Sequence, residues 1–172
     1  MRVSLTKCHV HIAAHLGVQR AKLHNGQYKG EWKRKNYIQQ AKNETFEQFA
    51  IRQIEAVGAE SAVAIWAGIE DFVPSNDSFK SFADVGDNIE VKYTDKTYGN
   101  LLVHQNDNGG RDIAVLVTGK MPHYELVGWL PVHEAQRSHY YRPDLDCYLV
   151  TRDLLKPMED LIMIGDSAHG KD

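Results

Sequence analysis

Apolar and polar positions change their period along this chain, and the changes predict its elements. Leu5, Val10, Ala13, Ala14 and Val18 recur at roughly helical spacing, which predicts a helix over 4–24. The stretch "HNGQYKGEWKRKN" follows, with two glycines and five charges, and reads as a loop or arm. From Asn43 the helical period returns: Asn43 is positioned as an N-cap, Glu44 and Glu47 lie in the first turns, and Phe46, Phe49, Ala50, Ile54 and Val57 share one face. Gly58 is expected to break or kink this helix before Glu60–Trp66 continues it.

Beyond "VPSNDS" the chain shortens into β-branched and aromatic segments: "SFADV", "NIEVKYT", "NLLVHQ", "DIAVLVTG" and "YELVGWLP". Turn formers separate them in "GD", "DKTYG", "NDNGG" and "KMPH". An antiparallel or mixed sheet follows from this pattern. "DCYLVTRDLLKPMEDLIM" reads as one more strand and a short helix around Leu154–Leu161, and "GDSAHGKD" as a frayed tail.

Length and composition fit one globular domain. The chain has 172 residues, 42% of them apolar and 25% charged. Within this single domain (1–172) the pattern separates a basic N-terminal helix and arm (1–42), a core (43–131), and a C-terminal strand, helix and tail (132–172). Two cysteines, Cys8 and Cys147, make no disulfide framework, the apolar run 62–69 is too short for a bilayer, and the first residues lack a secretion signal. A cytoplasmic protein is the expectation.

Charge alters the picture more than composition does. Residues 1–42 hold nine Lys or Arg against the single acid Glu31, whereas the other 130 residues hold 11 basic and 22 acidic side chains. A basic segment joined to an acidic body suits a protein that touches a polyanion at one end and carries a carboxylate cluster elsewhere. Arg20, Lys22, Lys33, Arg34 and Lys35 are the candidate phosphate contacts, with Tyr28, Trp32 and Tyr37 available for stacking on single strands.

The candidate cluster lies in "DVGDNIEVKYT", residues 84–94. In a strand, Glu90 and Lys92 project from one face while Ile89, Val91 and Tyr93 enter the core from the other. A turn at Val85–Asn88 would fold the Asp84 carboxylate back beside Glu90. Two crowded carboxylates raise each other's pKa, and a divalent cation removes the conflict; hard oxygen ligands suit Mg2+ or Mn2+. Asp87 is read as a turn residue and Asp107 as a cap of the "NDNGG" turn, and Gln105, one strand later, is in a position to contact a ligand or a water. Glu31-Trp32-Lys33 repeats the Glu-x-Lys spacing in the basic loop, with no acid before it.

"AD" at 83–84 followed by "IEVK" at 89–92 resembles the PD-(D/E)xK nuclease superfamily, with Ala83 where the signature often has proline. The wider run over 57–131 resembles small phage-encoded proteins assigned to that superfamily. The resemblance implies an α/β (α+β) fold with a restriction-endonuclease-like core, a central mixed sheet of four to five strands flanked by helices. It implies a Mg2+- or Mn2+-dependent nuclease on nucleic acid, foremost a DNA endonuclease, with Asp84, Glu90 and Lys92 catalytic. Glu60, from the segment "VGAESAVA", is nominated as a further catalytic and metal-binding acid. The host cytoplasm is then its setting, and a homodimer would suit double-strand cutting.

Other chemistries have less support. Cys8, His11 and His15 have a zinc-compatible spacing on one helix, but no second pair follows. No Gly-x-Ser-x-Gly elbow and no phosphate-cradling Gly-x-x-x-x-Gly-Lys loop occurs. A catalytically silent nucleic-acid-binding or regulatory protein on the same fold is the alternative.

Overall fold

The computed structural model describes residues 1–24, 44–76 and 83–161. Its first strand, β1 (Arg2–Ser4), is one the helical reading of 4–24 passed over. Three residues carry no detectable period, and β1 forms because a distant partner, β5 (His123–Pro131), supplies its ladder, with Val3 opposite Tyr124. The Met1 ammonium adds a bond to the Leu126 carbonyl at 2.8 Å. Helix α1 (Lys7–His24) starts only after Thr6, whose carbonyl accepts from the Val10 N–H and whose hydroxyl accepts from the His9 N–H.

Helix α2 (Phe46–Trp66) is capped by Thr45 through a reciprocal box with Gln48. Asn43, the expected cap, lies outside the described residues. The helix runs unbroken through Gly58. What glycine provides there is approach: a Cβ at 58 would sit 2.2 Å from the Tyr124 hydroxyl, which donates to Glu55 Oε2 at 2.7 Å. Position 58 is thus a contact between helix and sheet.

The central sheet is mixed and four-stranded, as expected, in the order β1-β5-β4-β2, with β2 at Ile89–Thr94 and β4 at Ile113–Lys120. β2 and β4 run parallel and β4 and β5 antiparallel. β3 (Leu101–Val103) leaves this sheet and pairs with β7 (Cys147–Val150), beside β6 (Tyr141–Arg142), in a second antiparallel sheet. A four-residue helix, α3 (Val132–Ala135), follows β5. The proposed C-terminal helix begins later than Leu154. A 3-10 turn at Arg152–Leu154 comes first, Lys156 then bridges to Trp129, and helical geometry starts at Met158. The tail beyond 161 is outside the described residues.

β4 divides two cores. Val115 and Val117 face α2 and pack with Val63, Tyr124, Leu126 and Trp129. Ala114 and Leu116 face the second sheet and pack with Leu101, Val103, Leu130 and Val150. Burial on both faces explains why "IAVLV" has no polar alternation. No helix among the described residues is long and apolar enough to cross a membrane.

Candidate carboxylate–lysine site

The site forms where a tight turn enters an edge strand. Val85 and Ile89 exchange backbone hydrogen bonds at 3.0 and 3.1 Å, closing the turn, and Gly86 takes φ +58°, a left-handed conformation that favours glycine. The carbonyl of Asn88 accepts from Ile113 on β4, so the backbone groups of Ile89 and Val91 face away from β4. Asp84 fills that open edge, its Oδ2 accepting from the Val91 N–H at 2.9 Å. Asp84 was expected to fold back beside Glu90; its carboxylate returns to the Val91 N–H at the strand edge, and its charge acts on Glu90. The agent of that return is a side-chain bond to the edge of the strand.

Strand alternation then separates the remaining groups. Ile89, Val91 and Tyr93 pack against the α2-side core. Glu90 and Lys92, opposite Ala114 and Leu116, share the face toward the second sheet. Lys92 Nζ lies 2.8 Å from Asp107 Oδ2 and 3.6 Å from Glu90 Oε2, and the three side chains are only 18%, 13% and 20% exposed. Asp107 also accepts the His104 N–H at 2.8 Å, so it caps its turn and holds the lysine with the same oxygen.

The cluster disfavours the charge of Glu90 and favours that of Lys92. Burial, then the charge of Asp84, pushes Glu90 up to about 7; Lys92 opposes this, and Asp107 and Asp112 add to it. Burial alone would depress the Lys92 ammonium. The charge and hydrogen bond of Asp107, with Glu90 and Asp84 behind it, outweigh burial and hold Lys92 above the ordinary lysine value. Lys92 therefore remains a fixed positive charge near neutrality, and Glu90 is the group whose proton is in play. Asp112, buried just before β4 and bonded by Asn108, is also held above the ordinary carboxylate range, first by burial.

The structure corrects two of the expected site residues. Arg20, expected to grip phosphate, is 2% exposed, and its Nη1 and Nη2 donate to Glu60 Oε1 and Oε2 at 2.6 and 2.7 Å. Its Nε donates to the Ser75 carbonyl. Glu60, expected among the catalytic acids, spends both oxygens on this arginine, and the charges acting most strongly on Glu90 are those of Asp84, Lys92, Asp107 and Asp112. The pair is a buried tie between α1 and α2. Lys22 is exposed on α1, while Lys33, Arg34, Lys35 and the neighbouring aromatics lie outside the described residues, as does the Glu31-Trp32-Lys33 repeat. Cys8, His11 and His15 are exposed on α1, and His15 Nε2 lies 2.8 Å from Gln19 Nε2. Asp87 and Gln105 are exposed.

No group of three or more His, Cys, Asp or Glu side chains among the described residues is disposed to hold a metal ion by itself. What the cluster has is a carboxylate pair, Asp84 and Glu90, in which burial first and the charge of Asp84 second hold Glu90 raised. Hard oxygens in that number match Mg2+, which binds through one or two carboxylates and retains several waters. The donor chemistry fits the ion.

A cavity of about 480 Å3 adjoins the cluster, between β2 and the second sheet, and Lys92 is part of its wall. Fold and site together define an α+β protein with an ion-paired carboxylate cluster at the edge of a mixed sheet. No family model, curated protein or solved structure matches the chain.

Proposed function

We propose that the protein is a Mg2+- or Mn2+-dependent nuclease that hydrolyses phosphodiester bonds, with DNA the first substrate to test. The observation that carries this reading is the strained assembly itself: two repelling carboxylates, one raised to about 7, with a lysine kept positively charged beside them. A structural cluster gains nothing from that repulsion, whereas a site that takes up a dication is relieved by it.

Asp84 and Glu90 would hold the ion. When bound, it supplies Lewis acidity toward a phosphoryl oxygen and lowers the pKa of a coordinated water. Lys92 offsets negative charge gathering on the phosphoryl oxygens, and Asp107 positions that ammonium. Glu90 at its raised pKa can carry a proton while the site is empty of substrate and lose it as positive charge arrives. Divalent-ion uptake should accordingly strengthen as pH rises through 7.

Incubating the protein with plasmid and with oligonucleotides in Mg2+ tests the proposal. Expected is cleavage abolished by chelation and reduced at least about 100-fold in Asp84→Ala, Glu90→Ala and Lys92→Ala. Nucleic-acid binding should survive in Asp84→Ala and Glu90→Ala. A specific observation favours one second reading: Lys92 is already engaged by Asp107 at 2.8 Å, as in a site kept for binding alone. Salt-sensitive binding without cleavage in any divalent ion would select the silent nucleic-acid-binding protein.

A further inference from the structure

The cavity beside Lys92 is larger than a phosphate needs, and apolar side chains share its lining with polar ones. Its volume is about 480 Å3, within the range of small-molecule sites. Leu102, Leu145 and Leu149 supply apolar wall, from β3, the loop before β7, and β7 itself. Leu102 is 40% exposed, an aliphatic side chain turned outward beside a void. His104 lines the same space, while cationic groups mark two positions around it: Lys92, shared with the carboxylate cluster, and Lys96, exposed and without an ion pair among the described residues. A slot of leucine side chains and polar groups such as Thr94 and Asn100, with two lysines in its wall, suits a flat, weakly polar ring flanked by two anions. A nucleotide within a strand has that form.

We infer that this cavity receives one unpaired base of the substrate strand, the phosphate on one side of it directed to Lys92 and the carboxylate cluster, and the phosphate on the other to Lys96. The inference rests on the nuclease reading for the meaning of the Lys92 end, and it adds a substrate class. A base inside a duplex has both faces stacked and its edge paired, so it enters such a slot only from a single strand, a frayed end or after leaving the helix. Single-stranded DNA is therefore the preferred form, and selection occurs at the base next to the bond to be cut.

The test is binding of fluorescent oligodeoxythymidylate and of a blunt duplex of equal length, in chelator so that nothing is cleaved, by wild type, Leu149→Trp and Leu102→Glu. The first substitution fills the slot, and the second places an anion at an exposed position on its rim. Expected is tighter binding of the single strand by wild type, a loss of roughly tenfold in both variants, the scale of one stacked base, unchanged duplex binding, and competition by thymidine monophosphate for the wild type only. If Leu149→Trp fails to fold, Leu102→Glu decides alone. Single-strand affinity unaltered by the substitutions, or a wild type that binds duplex at least as tightly, overturns the inference. Either result leaves the nuclease reading standing if Mg2+-dependent cleavage is seen, whereas absent cleavage with these binding effects intact would remove the nuclease and keep the slot.

Discussion

Replacing Glu90 by glutamine should make the protein more stable and less active at once. Glu90 is raised from 4.5 to about 7, by burial first and by Asp84 next. Between those two values the folded state binds a proton that the unfolded chain has released, so stability falls as pH rises across the window. The loss is absent below 4.5 and complete above 7, where the shift corresponds to roughly 3 kcal/mol. Glutamine keeps the shape of the protonated acid and abolishes the titration. Glu90→Gln should therefore exceed wild type by up to about 3 kcal/mol at pH 8 and match it near pH 4.5. Lys92 does not disturb the comparison: its raised pKa concerns stability lost at strongly alkaline pH, and Asp107 at 2.8 Å keeps it paired in the variant. Urea unfolding followed by circular dichroism at pH 5 and pH 8 measures both differences. Adding Mg2+ at pH 8 should stabilise wild type and leave the variant unmoved. A variant no more stable than wild type at pH 8, or one whose advantage is the same at both pH values, would refute the electrostatic account of the cluster.

Three further outcomes follow from other contacts. Arg20→Ala should cost about 3–5 kcal/mol because it strands a buried carboxylate at Glu60, yet nucleic-acid affinity at permissive temperature should not change; a selective loss of affinity with normal unfolding would return Arg20 to the binding surface. Asp107→Asn removes one acid acting on Glu90, so the Glu90 titration should move below 7, read from carboxyl carbon chemical shifts; an unmoved midpoint would separate the two residues. Gly58→Ala places a methyl against the Tyr124 hydroxyl and should cost about 1–3 kcal/mol of unfolding free energy, whereas a neutral effect would mean that helix and sheet can part there freely.

What the amino-acid order determined is local. Period two over 89–94 was enough to place Ile89, Val91 and Tyr93 in a core and Glu90 with Lys92 on the opposite face, because adjacent side chains of a strand alternate whatever it pairs with. Gly86 and its neighbours announced a turn, and the turn carries Asp84 back to the strand. The helical period of 46–66 is equally legible, although the cap is Thr45 and not Asn43, and Gly58 neither breaks nor ends the helix. Propensity registers what glycine costs a helix and is silent about a tyrosine from residue 124 that requires the space.

Partnership over long sequence separation was decided only in three dimensions. β1 exists because β5 pairs with it, across more than a hundred residues, and β3 joined a second sheet because β7 offered an edge. The parallel register of β2 on β4 brings Asp112 near Glu90, and the loop between β3 and β4 delivers Asp107 to Lys92; neither acid has a spacing that marks it. Arg20 and Glu60 show the same limit from the other side. A charge in a basic segment and an acid on the helix before a motif look available, and burial of the two together is invisible until the helices pack. Alternation and turns follow from the chain's own stereochemistry. Which charges meet, and which remain accessible, depends on desolvation and pairing between segments that the chain order keeps apart.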